Sequence, residues 1–175
     1  MANKNNKTQS KKGNLIISIG STVLILALVL ASFINKGNND VKKESSTVTV
    51  NAQQGGDVVI NKSDITETAS FIPYQSGNTK MEIIAVKASD GSIRTAFNTC
   101  QVCFDSGRGY YVQQGDELIC QNCGNRFKIS QVEKEKMGCN PVPILDGDKT
   151  DNGQTITIPQ SFIDQNAVLF SNWKV

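Results

Sequence analysis

"MEIIAVKASDGSIRTAFNTCQVCFDSGRGYYVQQGDELICQNCGNRF", residues 81–127, decides the fold of this chain because it contains two β-hairpin patterns that each end at a Cys-x-x-Cys pair. In the first pattern, two apolar, β-branched runs flank Asp90 and Gly91, a residue pair that favours a type I′ turn. In the second, residues 110–113 and 117–119 flank a Gln-Gly-Asp turn. The stretch therefore predicts that each cysteine pair lies just past the end of a strand.

Sequence patterns typical of shorter strands and helical turns lie on both sides of this stretch. Apolar and β-branched runs predict further strands at residues 57–60, 69–77, 154–159 and 167–170. Capping residues predict only short helical pieces, one or two turns within residues 130–138 and one turn within 159–166. Together these patterns predict a mainly β domain with little helix.

All five cysteines lie between Cys100 and Cys139, and the chain contains no histidine. Sixteen residues separate the pair Cys100/Cys103 from the pair Cys120/Cys123, a spacing typical of a metal site built from two Cys-x-x-Cys turns. Because there is no imidazole, a metal must be held mainly by thiolate sulfur, which suits zinc, mononuclear iron or an iron–sulfur cluster. We predict the four paired cysteines as metal ligands and Cys139 as a further cofactor-binding candidate.

Other interpretations of the cysteines stay open. An exported domain permits disulfide bonds, although five cysteines would leave one thiol over. Thiol–disulfide exchange by Cys139 and one Cys-x-x-Cys pair has less support, because neither pair opens a helix after a parallel strand. Cys139 could also be a replacement ligand or a buried small residue. The pattern favours a redox or metal-binding accessory protein over an autonomous enzyme.

The amino-terminal segment is typical of a membrane anchor. Residues 13–35 carry no charge, and the apolar run 15–34 is long enough, at about 1.5 Å per residue, to cross roughly 30 Å of hydrocarbon. Four lysines and no acidic residue precede it, which favours a cytoplasmic amino terminus. A cleaved signal peptide is the alternative. We predict a cytoplasmic basic tail at 1–12, a single-pass transmembrane anchor at 13–35, a flexible linker at 36–47 and an exocytoplasmic cysteine domain at 48–175.

Three segments, "IRTAFNTCQVC" (93–103), "GYYVQQGDELICQNCGNRF" (109–127) and "GCNPVPI" (138–144), resemble the bacterial family named membrane iron–sulfur containing FtrD-like proteins. The resemblance covers residues 81–170 and rests on motifs that recur in order, AF-x2-C-x2-C, G-Y, C-x2-C-G-x2-F and G-C-N-P. Met137 stands where many members have a second glycine. The matching residues are Ala96, Phe97, Cys100, Cys103, Gly109, Tyr110, Cys120, Cys123, Gly124, Phe127, Gly138, Cys139, Asn140 and Pro141.

The resemblance implies an iron–sulfur cluster or iron held by the cysteines of a membrane protein. It also implies electron transfer or an accessory role in a bacterial iron uptake system, in company with an iron permease or another membrane redox partner. The order of hairpins and cysteine pairs is similar to a Rieske-type domain, with rubredoxin-like or zinc-ribbon-like ligand loops as alternatives. A structural zinc-binding adaptor is the alternative function. The net charge of +2 predicts no nucleic-acid partner.

Overall fold

The computed structural model describes residues 55–136 and 138–175. In these residues, ten β-strands form three antiparallel sheets beside one short α-helix and several 3₁₀ turns, so the predicted mainly β fold is confirmed. The elements are β1 (Val58–Asn61), β2 (Ser70–Ser76), β3 (Thr79–Lys87), β4 (Ile93–Cys100), β5 (Tyr111–Gln114), β6 (Glu117–Cys120), β7 (Arg126–Lys128), β8 (Pro141–Pro143), β9 (Thr150–Asp151), β10 (Thr155–Ile158) and α1 (Gln160–Gln165).

The predicted transmembrane anchor at 13–35 lies outside the described residues, as do the basic tail and the linker. Within the described part of the chain, no helix is long and apolar enough to cross a membrane. The domain boundaries therefore stay predictions.

Strands β2, β3, β4 and β8 form the central sheet, in that order. The run Met81–Val86 of β3 is apolar at nearly every position, which is typical of a strand that is buried on both faces. Because neighbouring side chains point to opposite faces, Ile83 and Ala85 pack on one side while Ile84 and Val86 pack on the other. The central sheet therefore separates two hydrophobic cores.

The two cores are covered by different elements. One is covered by the sheet β1-β10-β9 and by α1, whose Ile163 is fully buried. The other is covered by the sheet β5-β6-β7, which contributes Leu118 and Phe127. Cys100 and Cys120 belong to this second core, so the sheet β5-β6-β7 positions the cysteines against one face of the central sheet.

Both predicted hairpins are confirmed, but the first turn differs from the predicted type. β3 pairs with β4, and β5 pairs with β6. A type I′ turn needs positive φ at both central residues, whereas of Asp90 and Gly91 only Gly91 has it, at 82°. The carbonyl of Ala88 accepts the N–H of Gly91 at 2.9 Å, and the N–H of Ala88 donates to Ser92 at 2.8 Å. The connection is therefore a three-residue loop with a glycine bulge.

Two short segments differ from the sequence prediction. Ala167–Phe170 forms a 3₁₀ turn and not a strand, because Phe170 packs edge-on against Phe97 and Trp173, which outweighs the weak strand preference of four residues. Instead of a longer helical piece, the segment after β7 contains the 3₁₀ turn Ile129–Gln131. Glu133 has a φ of 67°, a left-handed conformation that a right-handed helix cannot contain.

The carboxylate of Glu133 joins the segment after the cysteine-bearing sheet to the central sheet. It accepts hydrogen bonds from the backbone N–H of Thr95 at 2.6 Å and from the Thr95 hydroxyl at 2.7 Å, and it pairs with the ammonium of Lys149. The side chains of Lys149 and Glu133 are only 4% and 9% exposed. We call Thr95, Glu133 and Lys149 the Glu133 cluster; it gives partners to polar groups that are taken out of water.

Candidate metal centre

The first cysteine pair follows β4 directly. Cys100 is the last residue of β4, and the pairing of β4 with β8 shifts register between Phe97 and Cys100. Such a shift is typical of a β-bulge, which changes the direction of side chains next to functional sites. The backbone N–H of Cys100 donates to the carbonyl of Gly109 at 2.6 Å, so the loop that carries Cys103 is closed at its base.

The second pair follows β6 in the same way. Cys120 is the last residue of β6, and its carbonyl accepts the N–H of Gly124 at 2.9 Å while its own N–H donates to Asn125 at 3.0 Å. Gly124 has a φ of 72°, in the left-handed region, as expected for a glycine directly after such a pair. Each Cys-x-x-Cys pair thus begins at a strand end, as the hairpin patterns predict.

All five cysteines are free and lie together in what we call the cysteine cluster. The sulfurs of Cys100, Cys103 and Cys139 lie within 4.8 Å of one another, and so do those of Cys103, Cys120 and Cys123. Cys103 belongs to both groups, and its sulfur is 3.8 Å from the sulfur of Cys139. The structure therefore brings together the four cysteines predicted as metal ligands and the further candidate Cys139.

Cys139 reaches the cluster because the segment before β8 returns across the two cysteine loops. The side-chain amide of Asn125 donates to the carbonyl of Cys139 at 2.8 Å. The carbonyl of Asn140, a fully buried residue, accepts the N–H of Gln101 at 3.0 Å. One residue from each Cys-x-x-Cys loop therefore fixes the backbone at Cys139 and Asn140.

Access of solvent to the five sulfurs is graded. Cys100 and Cys120 are 0% and 1% exposed, and Cys103 is also buried. Cys139 is half-buried, and Cys123 is exposed. One side of the cysteine cluster therefore faces the hydrophobic core, and the other side faces solvent.

The thiols differ in pKa. Burial raises the pKa of Cys103 and the pKa of Cys120 above the usual value for a thiol. Burial acts on Cys100 and Cys123 in the same direction, but hydrogen bonds donated to their sulfurs outweigh it, and the pKa of each falls. Each pair therefore has one sulfur that ionises more easily than its partner, and the ionised sulfur is the form that binds a metal.

The cysteine cluster fits a thiolate-bound metal centre. A tetrahedral ion with metal–sulfur bonds of about 2.3 Å places two of its sulfurs roughly 3.8 Å apart. The sulfurs of Cys103 and Cys139 are 3.8 Å apart, and the other sulfurs of the two groups are within 4.8 Å. Sulfur is the donor that zinc and iron–sulfur centres prefer. Both the spacing and the chemistry of the donors therefore suit such a centre.

Gly109 lies where a larger residue does not fit. A Cβ at this position would be 2.3 Å from the carbonyl oxygen of Cys103 and 2.6 Å from its carbonyl carbon. We therefore expect Gly109→Ala to displace Cys103, to lower the free energy of unfolding by about 1–3 kcal/mol and to reduce metal retention. Denaturant unfolding and metal content measure both effects.

Gly147→Ala is the matched control for this prediction, because nothing lies within 4 Å of the added Cβ. We expect this variant to keep the metal content and the stability of the wild-type protein. If the Gly109 and Gly147 variants behaved alike, the close approach of Gly109 to Cys103 would have no consequence for the site.

Tyr111 packs in the same core as two of the cysteines, a placement that the sequence pattern did not show. The alternation of side chains along a strand predicts that one of Tyr110 and Tyr111 is buried, and Tyr111 is the buried one. Its side chain packs in the same core as Cys100 and Cys120. A strand pattern identifies which side chain is buried, but not the residues from other strands that surround it. No local signal could therefore have shown that Tyr111 packs with Cys100 and Cys120.

Comparison with known families gives one finding for the region that contains the cysteine cluster. Residues 65–170 match the family model described as membrane iron–sulfur containing protein FtrD-like. The matched region includes all five cysteines, Gly109 and Tyr111. No curated protein matches the chain in sequence.

Proposed function

This chain belongs to the FtrD-like family of membrane iron–sulfur containing proteins, and from that premise we propose that it serves a bacterial iron uptake system as an electron-transfer or accessory component. In this proposal Cys100, Cys103, Cys120 and Cys123 hold the iron–sulfur group, and Cys139 contacts it. The observation that carries the proposal is the cysteine cluster, in which free sulfurs from two strand ends and from the segment before β8 approach one another.

The graded burial of the sulfurs supports a role in electron transfer. An iron–sulfur group, when bound, takes up and releases single electrons at a potential that depends on hydrogen bonds and solvent exposure. The buried Cys100 and Cys120 exclude water from one side of the cysteine cluster. The exposed Cys123 marks the side that a partner protein can approach, and Val102, 57% exposed, adds apolar surface on the first cysteine loop.

The membrane association of the family supports a membrane anchor, and the orientation in this proposal follows the lysines that precede the apolar run. In this proposal residues 1–12 are a cytoplasmic tail, 13–35 cross the bilayer once, and 36–47 tether the exocytoplasmic domain 48–175. The partner is then an iron permease or another redox protein in the same membrane.

The proposal is tested by measuring iron, acid-labile sulfide and zinc in the full chain, purified in detergent without air. We expect iron together with sulfide, and visible charge-transfer absorption from iron–thiolate bonds. Stoichiometric zinc without colour would contradict the proposal and would favour a structural zinc-binding adaptor, because closed zinc sites use the same ligands. The control is the double variant Cys100→Ser/Cys120→Ser, which removes one sulfur from each pair and should lose iron and colour together.

A further inference from the structure

Residues 172–175, which we call the clasp, lie against the first cysteine loop, residues 100–109. The side-chain amide of Asn172 donates a hydrogen bond to the carbonyl of Asp105 in this loop, at 2.7 Å. The match to the family model ends at residue 170, before the clasp begins. The clasp is therefore a feature of this chain that the family match does not cover.

The clasp contacts the part of the loop that fixes Cys103. Ser106 donates to the carbonyl of Cys103 from its N–H at 3.1 Å and from its hydroxyl at 2.7 Å. The two neighbours of Ser106 both meet the clasp. Asp105 is bonded by the Asn172 amide, and a Cβ at Gly107 would lie 3.3 and 3.4 Å from two backbone carbonyl oxygens of the clasp. Displacement of the clasp would therefore free the turn that holds the backbone of Cys103.

Two further side chains hold the clasp beside the loop. The ammonium of Lys174 lies 4.2 Å from the ring centre of Trp173 and 5.2 Å from that of Tyr110, within the range of a cation–π interaction. It also pairs with the carboxylate of Glu82 at 3.1 Å. The indole N–H of Trp173 donates to the carbonyl of Asn98 on β4 at 2.7 Å. Since Asn98 precedes the first cysteine loop and Tyr110 follows it, the clasp is held at both ends of that loop.

We propose that the clasp is a positioning segment of the metal centre, which holds the first cysteine loop closed and so slows release of the bound group; this role rests on the proposed function. The clasp acts through the turn at Ser106 and not by touching the group. A loop opens only as often as the contacts that close it break, and a sulfur ligand leaves its metal only when its loop moves. Because the sulfur of Cys103 belongs to both sulfur groups, its departure loosens the whole centre.

The test is amide hydrogen exchange in the full chain, purified in detergent without air, for wild type and Asn172→Ala. Exchange of a hydrogen-bonded amide measures how often the surrounding structure opens. Loss of the Asn172 hydrogen bond should speed exchange at the N–H of Ser106 by roughly 2–10-fold, the effect of one hydrogen bond. The second cysteine loop supplies the internal reference, because the N–H of Gly124 donates to the carbonyl of Cys120 at 2.9 Å. Exchange at Gly124 should stay as in wild type.

Lys174 provides a second variant and its rescue. Lys174→Met removes the ion pair and the ring contacts and should also speed exchange at Ser106, whereas Lys174→Arg keeps a cation over the rings and should exchange as slowly as wild type. Ser171→Ala, at an exposed position just before the clasp, is the matched control and should change neither loop. The rate of iron release to a ferrous chelator, measured on the same proteins, should follow the same order.

The outcomes separate this inference from the proposed function. Faster exchange confined to the first cysteine loop, together with faster iron release, supports the inference. Equal acceleration in both loops, acceleration in neither, or unchanged iron release overturns it and leaves the proposed function intact. A wild-type chain that holds no iron overturns the proposed function and the role in iron retention, while the exchange rates still decide whether the clasp holds the loop closed.

Discussion

Replacement of Cys103 by serine is expected to remove nearly all iron from the chain. Cys103 belongs to both sulfur groups of the cysteine cluster, so its loss takes a sulfur from each. The serine oxygen is a harder donor than a thiolate and replaces it poorly at iron. We expect iron affinity to fall by more than the roughly 10–100-fold that supporting residues contribute at metal sites. Iron and sulfide content after anaerobic purification measures the loss.

Cys139→Ser is the matched comparison for this prediction. Cys139 belongs to one sulfur group only and is half-buried, and the two Cys-x-x-Cys pairs still supply four sulfurs without it. We therefore expect this variant to keep most of its iron. Iron retention by Cys103→Ser would argue against the paired cysteines as ligands. Equal loss in both variants would make Cys139 a ligand as well.

Replacement of Glu133 by alanine is expected to lower the free energy of unfolding by about 3–5 kcal/mol, the range for removing one partner of a buried ion pair. The change leaves the buried ammonium of Lys149 without its nearest carboxylate and the buried N–H of Thr95 without its acceptor. Arg94 also loses its contact with this carboxylate at 3.7 Å. Denaturant unfolding, followed by the fluorescence of Trp173, the single tryptophan of the chain, measures the loss.

Glu135→Ala is the matched control for the Glu133 cluster. Glu135 is exposed and accepts a hydrogen bond from Gln131 at the surface, so its replacement should change stability by no more than about 0.5 kcal/mol. The double variant Glu133→Ala/Lys149→Met removes both charges and should recover part of the loss, since an unpaired buried charge is the main cost. A loss for Glu133→Ala no larger than for Glu135→Ala would show that the cluster does not stabilise the domain.

The hairpins and the positions of both cysteine pairs could be predicted because their signals are local. In β3 and β4 the apolar runs and the turn residues are close in sequence, so strand preference and turn chemistry act without the rest of the chain. The form of the first turn could not be predicted from Asp90 and Gly91 alone. The carboxylate of Asp90 accepts the N–H of Ser92 at 3.1 Å, a contact that accompanies the longer, bulged loop.

Cys139 could be named as a candidate from the sequence, but the contacts that place Cys139 and Tyr111 could not be predicted because they join distant parts of the chain. Cys139 joins the cysteine cluster because Pro141 of β8 pairs with Cys100 at the end of β4. Tyr111 is oriented by Asn98, which lies on a strand of another sheet. Periodicity shows which face of a strand a side chain occupies, but it does not identify the residues that approach that face from elsewhere.

Strand β4 takes part in both the Glu133 cluster and the cysteine cluster. It carries Thr95 of the Glu133 cluster in its first half and Cys100 of the cysteine cluster at its end. Strand β4 pairs with β3 along one edge and with β8 along the other. Separation of β4 from these strands at one end would therefore break hydrogen bonds that also hold its other end in place. We therefore expect the central sheet and the cysteine cluster to unfold together. Binding of a metal or iron–sulfur group at the sulfurs should then raise the free energy of unfolding of the central sheet as well as that of the cysteine loops.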